Sequence, residues 1–167
     1  MSVQHLVAAL AASLIVAGVE RCRRQDAATA GDWLVVTVND GDTVTAKAPD
    51  GGNQRIRLVG IDAPEYDQPF GREARDALAA QVGGRRIAVE SHGLDQHGRV
   101  LGRLRVEGVD VNTRLVSQGY AWVFNRVAPD PDLVAAESAA RRERRGLWAA
   151  DNPVEPSSWR ARHPRQP

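Results

Sequence analysis

Asp40 and Asp42 flank a glycine in "NDGDTV" (39–44), and Asp62 and Glu65 bracket Ala63-Pro64 at the end of "RLVGIDAPE" (57–65). Each turn alone is ordinary loop chemistry, since Asp-Gly is a common hairpin turn. If the strands that carry them are neighbours, however, four carboxylates reach one rim of the fold. Like charges so placed repel unless they are protonated or share a cation. Carboxylates and backbone carbonyls are ligands for a hard cation, Ca²⁺ above all. Arg57 opens the second run, and Arg99 closes the turn "DQHGR" (95–99). Two guanidinium groups beside a cation and a free carboxylate amount to a phosphate clamp. They would neutralise the charge that grows on a phosphodiester as water attacks it. Arg57 and Asp62 lie five residues apart and on a regular pleat would face opposite ways. Gly60 is a candidate bulge that would bring them to the same side.

The elements that must position these residues are legible from periodicity and turn signals. "WLVVTVNDGDTVTAKA" (33–48) alternates and is broken at Asp40-Gly41, a hairpin signal. "QRIRLVGI" (54–61) makes the next strand, and "GREARDALAAQV" (71–82) has helical spacing ended by Gly83-Gly84. "RRIAVES" and "VLGRLRV" read as strands joined by the turn "LDQHGR"; "VNTRLVSQ" reads as a second helix and "AWV" as a short last strand. Asp130-Pro131 is an N-cap with Pro at N1, opening a third helix through Arg145 with Gly146 as its stop. Short strands interrupted by helices predict an α+β fold: a five-stranded Greek-key β-barrel of the OB type with three α-helices. The hairpin joining the first strands argues against a doubly wound parallel sheet.

Length and composition fit one domain, placed at residues 32–150, followed by a Pro- and Arg-rich tail (151–167) expected to be poorly ordered. Residues 6–19 are an apolar run of 14 residues, short of the ~20 that span a bilayer. With Ala28-Thr29-Ala30 downstream as an A-x-A site, residues 1–30 read as a signal peptide. The absence of Lys or Arg before the run, and Arg21, Arg23 and Arg24 after it, keep an uncleaved membrane anchor open. Export to the periplasm or medium is expected either way. Residues 1–30 hold three of the 22 basic and two of the 21 acidic residues, so 19 of each sign remain. A neutral chain offers nucleic acid a local patch rather than a coat. Cys22 is the only cysteine, which excludes an intrachain disulfide and a Cys-based zinc site; the histidines lack ligand spacing. All basic residues except Lys47 are arginine. That suits bidentate phosphate contacts but also follows from GC-rich coding. "ARRERRG" (140–146) reads as the solvated end of the third helix.

The ordered set "DGDTV", "RLVGIDAPE", "DQHGR" and "GLW", spread from Trp33 to Trp148, resembles the thermonuclease (staphylococcal nuclease-like) family, and "QPFGREA" resembles its bacterial exported branch. The resemblance implies a Ca²⁺-dependent endonuclease acting on DNA and RNA, expected as a monomer, that leaves 3′-phosphate ends. It implies Asp42 and Asp62 as calcium-binding carboxylates, the Ala63 backbone carbonyl as a further ligand, and Asp40 just behind the metal. Ala63 stands where the family usually has Thr, but the ligand is main-chain. The resemblance also implies Glu65 as the residue that orients or deprotonates the attacking water, and Arg57 and Arg99 as the phosphate-binding arginines. The family's lysine-rich loop is replaced by the shorter "YDQPFGRE", and its base-side tyrosine aligns with Asn125, beside Phe124. Tyr120, Trp122 and Phe124 could stack on bases instead, although one face of "YAWVF" belongs to the core. Gln96 and His97 replace the family's turn Lys and Tyr. The alternative reading is a non-catalytic OB-fold nucleic-acid-binding module, which would expect damage to the acid and arginine set.

Overall fold

The computed structural model describes residues 33–124 and 129–164, so the expected leader and Asn125 lie outside the described residues. The predicted hairpin forms from β1 (Trp33–Val38) and β2 (Thr43–Lys47), with Val38 opposite Val44. Next come β3 (Asn53–Leu58), β4 (Ile61–Asp62), α1 (Gly71–Val82), β5 (Arg86–Leu94), β6 (Val100–Val106) and β7 (Val109–Asp110). The chain continues through α2 (Val111–Ser117), β8 (Trp122–Val123), α3 (Pro131–Arg142), a 3₁₀ turn (Gly146–Ala149) and α4 (Pro156–Arg162). The sheet runs β3-β2-β1-β5-β6-β7, and β3 also pairs with β6 in parallel, which closes β1, β2, β3, β5 and β6 into a five-stranded barrel. Closure removes the exposed sheet edges that an open five-stranded sheet would leave. This is the α+β barrel expected from the sequence, with four α-helices among the described residues instead of three.

Inward positions follow the two-residue period. On β6, Val100, Gly102, Leu104 and Val106 are buried while the residues between them are more exposed. On α1, Ala74, Leu78 and Val82 make a buried stripe at i, i+4 and i+8. Beyond the barrel, Trp122, Ala140, Leu147 and Trp148 form a second cluster. Trp122 and Trp148 meet edge-on with ring centroids 5.1 Å apart, so α3 and the 3₁₀ turn pack against β8.

Several expectations needed correction. "QRIRLVGI" is not one strand: β3 stops at Leu58, and Gly60, at φ 78°, turns the chain so that Ile61–Asp62 pair with β8. Gly60 is therefore a turn residue rather than a bulge, in a backbone conformation that side chains disfavour. The third helix ends at Arg142 because Arg144 takes a left-handed φ of 51°, and the Arg145 N–H bonds back to the Ala140 carbonyl at 2.9 Å. "AWV" contributes a strand outside the barrel, and the tail, expected to be loose, contains α4.

The β3–β4 turn is pinned from beneath by Asn112, which is fully buried on α2. Its side chain accepts from the Leu104 N–H at 3.1 Å and donates to the Val59 carbonyl at 2.8 Å. Removing it strands both backbone groups in the core. Asn112→Ala is expected to lower stability by about 1–3 kcal/mol, read as a lower urea midpoint at unchanged slope.

Candidate active site

The β2–β3 register sets Thr43 opposite Arg57, and the Leu58 N–H donates to the Asp42 carbonyl at 2.8 Å. The two acidic turns are thus adjacent, as the sequence reading required. Gly41 permits the close approach: a Cβ there would sit 2.7 Å from the Ala63 Cβ and 2.9 Å from the Ala74 Cβ. The Ala63 N–H then donates to Asp42 Oδ2 at 2.8 Å, locking one turn to the other. Asp42 also accepts from the Thr43 hydroxyl at 3.0 Å, while Asp40 Oδ1 accepts from the Asp42 N–H at 3.1 Å.

Arg57 lies between the two acidic turns. Its guanidinium pairs with Asp42 and donates to Asp62 Oδ1 at 2.8 Å, and both carboxylates are only 4% exposed. Two buried like charges so close need such compensation. Burial draws the Arg57 guanidinium below its ordinary value against the opposing pull of Asp62 and Asp40, and Arg99 adds to the lowering. An arginine stays charged through such a shift. Asp40, Asp42, Arg57, Ala63, Glu65 and Arg99 all line one open cleft of about 1550 Å³. Asp62 joins them through its guanidinium partners.

The donor chemistry fits a hard divalent cation: two nearly buried carboxylates, Asp40 beside them, and the Ala63 carbonyl, all oxygen. Among the described residues, no three His, Cys, Asp or Glu side chains already stand as a cage for an ion. The acids are instead turned onto arginines, including one that sequence reasoning missed. Arg160, on α4, donates to Asp62 Oδ2 at 2.9 Å, to Asp62 Oδ1 at 3.2 Å and to Glu65 Oε1 at 2.8 Å. The Asp62 hydrogen bonds push its guanidinium above the ordinary value, with Glu65 adding to them. The only local signals for it were Pro156, well placed to start a helix, and an apolar Trp159 one residue before it.

Gln68, in the segment "QPFGREA", was a second omission. It is buried, its Oε1 accepts from the Glu65 N–H at 3.1 Å, and its Nε2 donates to the Val154 carbonyl at 2.6 Å. Trp159 lines the cleft and stacks on His163 with ring centroids 3.9 Å apart. Of the three candidate stacking residues, Trp122 belongs to the second core cluster and Tyr120 stacks on Phe70; Phe124 lines the cleft.

The fold and this cleft define a small closed barrel that presents carboxylates and guanidinium groups together. The chain belongs to the staphylococcal nuclease homologue family, whose model matches residues 55–150. It is 41% identical over 133 residues to an "Uncharacterized endonuclease" of Escherichia coli, covering 77% of this chain and 84% of that one. A second "Uncharacterized endonuclease", from Haemophilus influenzae, is 35% identical over 75% of this chain and 71% of its own. A "Probable staphylococcal-like nuclease CAN3" of Oryza sativa subsp. japonica is 34% identical over 77% of this chain and 32% of its own.

Arg99 is held by Asp95, whose Oδ2 accepts from Nε at 2.7 Å while Oδ1 accepts from the Arg99 and His97 amides at 3.0 and 2.8 Å. Burial works to raise the Asp95 carboxyl, but these bonds outweigh it and hold it at about 2 against an ordinary 3.8. A depressed carboxyl stabilises the fold above its unfolded-state value, and the contribution is lost as pH falls through the folded value. The melting-temperature gap between the parent and Asp95→Asn should therefore be full near pH 6, shrink below about pH 4 and close near pH 2. Thermal melts of both proteins across that range check this.

Proposed function

We propose that this protein is a Ca²⁺-dependent nuclease that hydrolyses phosphodiester bonds in DNA and RNA. The observation that carries the reading is the shared engagement of Asp42 and Asp62 by Arg57, on a cleft that also presents Glu65 and Arg99. The family and its relatives described as endonucleases support it.

Asp42, Asp62 and the Ala63 carbonyl would hold the ion, with Asp40 orienting the Asp42 turn through the Asp42 N–H. Bound calcium would supply positive charge where the phosphate and water meet. Arg57, held in place by Asp42 and Asp62, would offer phosphate oxygens the N–H donors not turned to those acids. Arg99, held at its base by Asp95, supplies the second guanidinium. Both stabilise the charge that accumulates on phosphorus-bound oxygens during in-line attack. Glu65 orients the attacking water or takes its proton. The bond to the 5′-oxygen breaks, leaving a 3′-phosphate. The protein works as a monomer outside the cytoplasm, a placement that rests on the apolar run at residues 6–19, whether cleaved or kept as an anchor. N-terminal sequencing of the exported form distinguishes those two fates.

Arg99→Ala and Arg57→Ala should each lower turnover on plasmid DNA by about 10²–10³, and Glu65→Gln should be similarly impaired. Activity should vanish in EDTA and return with CaCl₂ but not Zn²⁺, and the products should carry 3′-phosphates. Near-parental calcium-dependent cleavage by both Arg57→Ala and Glu65→Gln would refute this mechanism. Nucleic-acid binding without cleavage would point to the non-catalytic module.

A further inference from the structure

One guanidinium in the cleft comes from outside the segment matched by the family model, which ends at residue 150. Arg160 forks onto both oxygens of Asp62 and bridges to Glu65. These are lone pairs that an ion at Asp62, or a water at Glu65, would need. Calcium sits about 2.3–2.6 Å from its oxygens, a shell that admits no N–H donor at the same lone pair. Two cations competing for one carboxylate also repel each other.

Exposure decides which guanidinium yields. The Arg57 side chain is 17% exposed and built into β3, whereas that of Arg160 is 42% exposed at the end of a seven-residue helix. Ion pairs open to water are weakened by screening and by the rotamer freedom they forfeit. The segment carrying Arg160 is also tied down by the Gln68 bond to the Val154 carbonyl and by a buried Pro156, whereas the Trp159–His163 stack lies within the segment itself. Gln68 reaches the Glu65 N–H with its other end, so the docking of this segment and the Glu65 turn share one residue.

We propose that Arg160 is a built-in counter-ion that occupies Asp62 and Glu65 and competes with the divalent cation for them, so that cation binding displaces the Arg160 guanidinium from the acids. The inference rests on the calcium reading above and concerns affinity rather than turnover. Linkage makes it reciprocal: whatever Arg160 gains from the acids, the cation must overcome.

The test is calorimetric titration of metal-free full-length protein with CaCl₂, for the parent, Arg160→Gln, Arg160→Lys and Arg162→Gln. Arg162 donates to the Ser158 carbonyl on the same helix, so its variant removes equal charge without touching the acids. Arg160→Gln should bind calcium roughly tenfold more tightly than the parent. Arg160→Lys, which keeps the charge but not the fork, should fall between them, and Arg162→Gln should match the parent. In thermal melts, Arg160→Gln should lie below the parent without calcium and close the gap when saturated, a pattern that a purely structural role would not produce. Equal or weaker calcium affinity in Arg160→Gln overturns the competition while leaving the nuclease reading intact. Absence of calcium binding in every protein sinks both.

Discussion

Two carboxylates withdrawn from water within reach of one another cannot both stay charged unless something positive lies between them. Here Arg57 fills that place, engaging Asp42 on one side and Asp62 on the other. Much of the local architecture serves that triad. The β2–β3 register puts Arg57 beside the Asp42 turn, and the turn at Gly60 returns the chain so that Asp62 meets the same guanidinium. Gly41 leaves room for Ala63, whose N–H fixes the second oxygen of Asp42. Asn112 holds the returning turn to the barrel through the Val59 carbonyl. A continuous strand through Val59 and Gly60 would have carried Asp62 to the opposite face.

Electrostatic strain confined in this way is also a resource. A site that must be compensated by some cation can exchange one for another. Four carboxylates gather here (Asp40, Asp42, Asp62 and Glu65) against two engaged guanidinium groups, Arg57 and Arg160. The deficit leaves the cluster net negative, attractive to a divalent ion and, until one arrives, a poor seat for a phosphate. Arg99 is kept apart from this economy by its own carboxylate, Asp95, so one guanidinium is aimed into the cleft irrespective of the state of the acids.

The sequence exposed the parts whose causes are local. Apolar spacing delimited α1 at 71–82, alternation located β6, and Asp130-Pro131 marked the start of α3, where Asp130 Oδ1 accepts from the Asp132 N–H at 2.9 Å. The acids and arginines were legible because turns concentrate polar residues at strand ends, where a barrel rim collects them. What escaped was set by distant contacts or by backbone geometry. The Arg160–Asp62 pair spans 98 residues and leaves no periodic trace. Gly60 could have been a bulge or a turn, and only the pairing of β4 with β8 decides between them. Arg144 adopts the left-handed conformation that a reading by residue type assigns to glycine, which moved the end of α3.

The position of Arg160 also bears on why a tail of ordinary composition would order at all. A seven-residue helix is too short to persist by propensity, and α4 buries only Pro156 fully. The Gln68 bond to the Val154 carbonyl and the Arg160 fork onto the acids add to that hold. On the proposed competition, offering the acids another cation would weaken that hold, and ordering the helix would in turn discourage the cation. Trp159 and His163 are carried on the same segment and line the same cleft, so any shift of α4 changes the wall of the cleft as well as its charge. The ion that completes the acid cluster would thereby also reshape the surface on which a nucleic-acid strand has to lie.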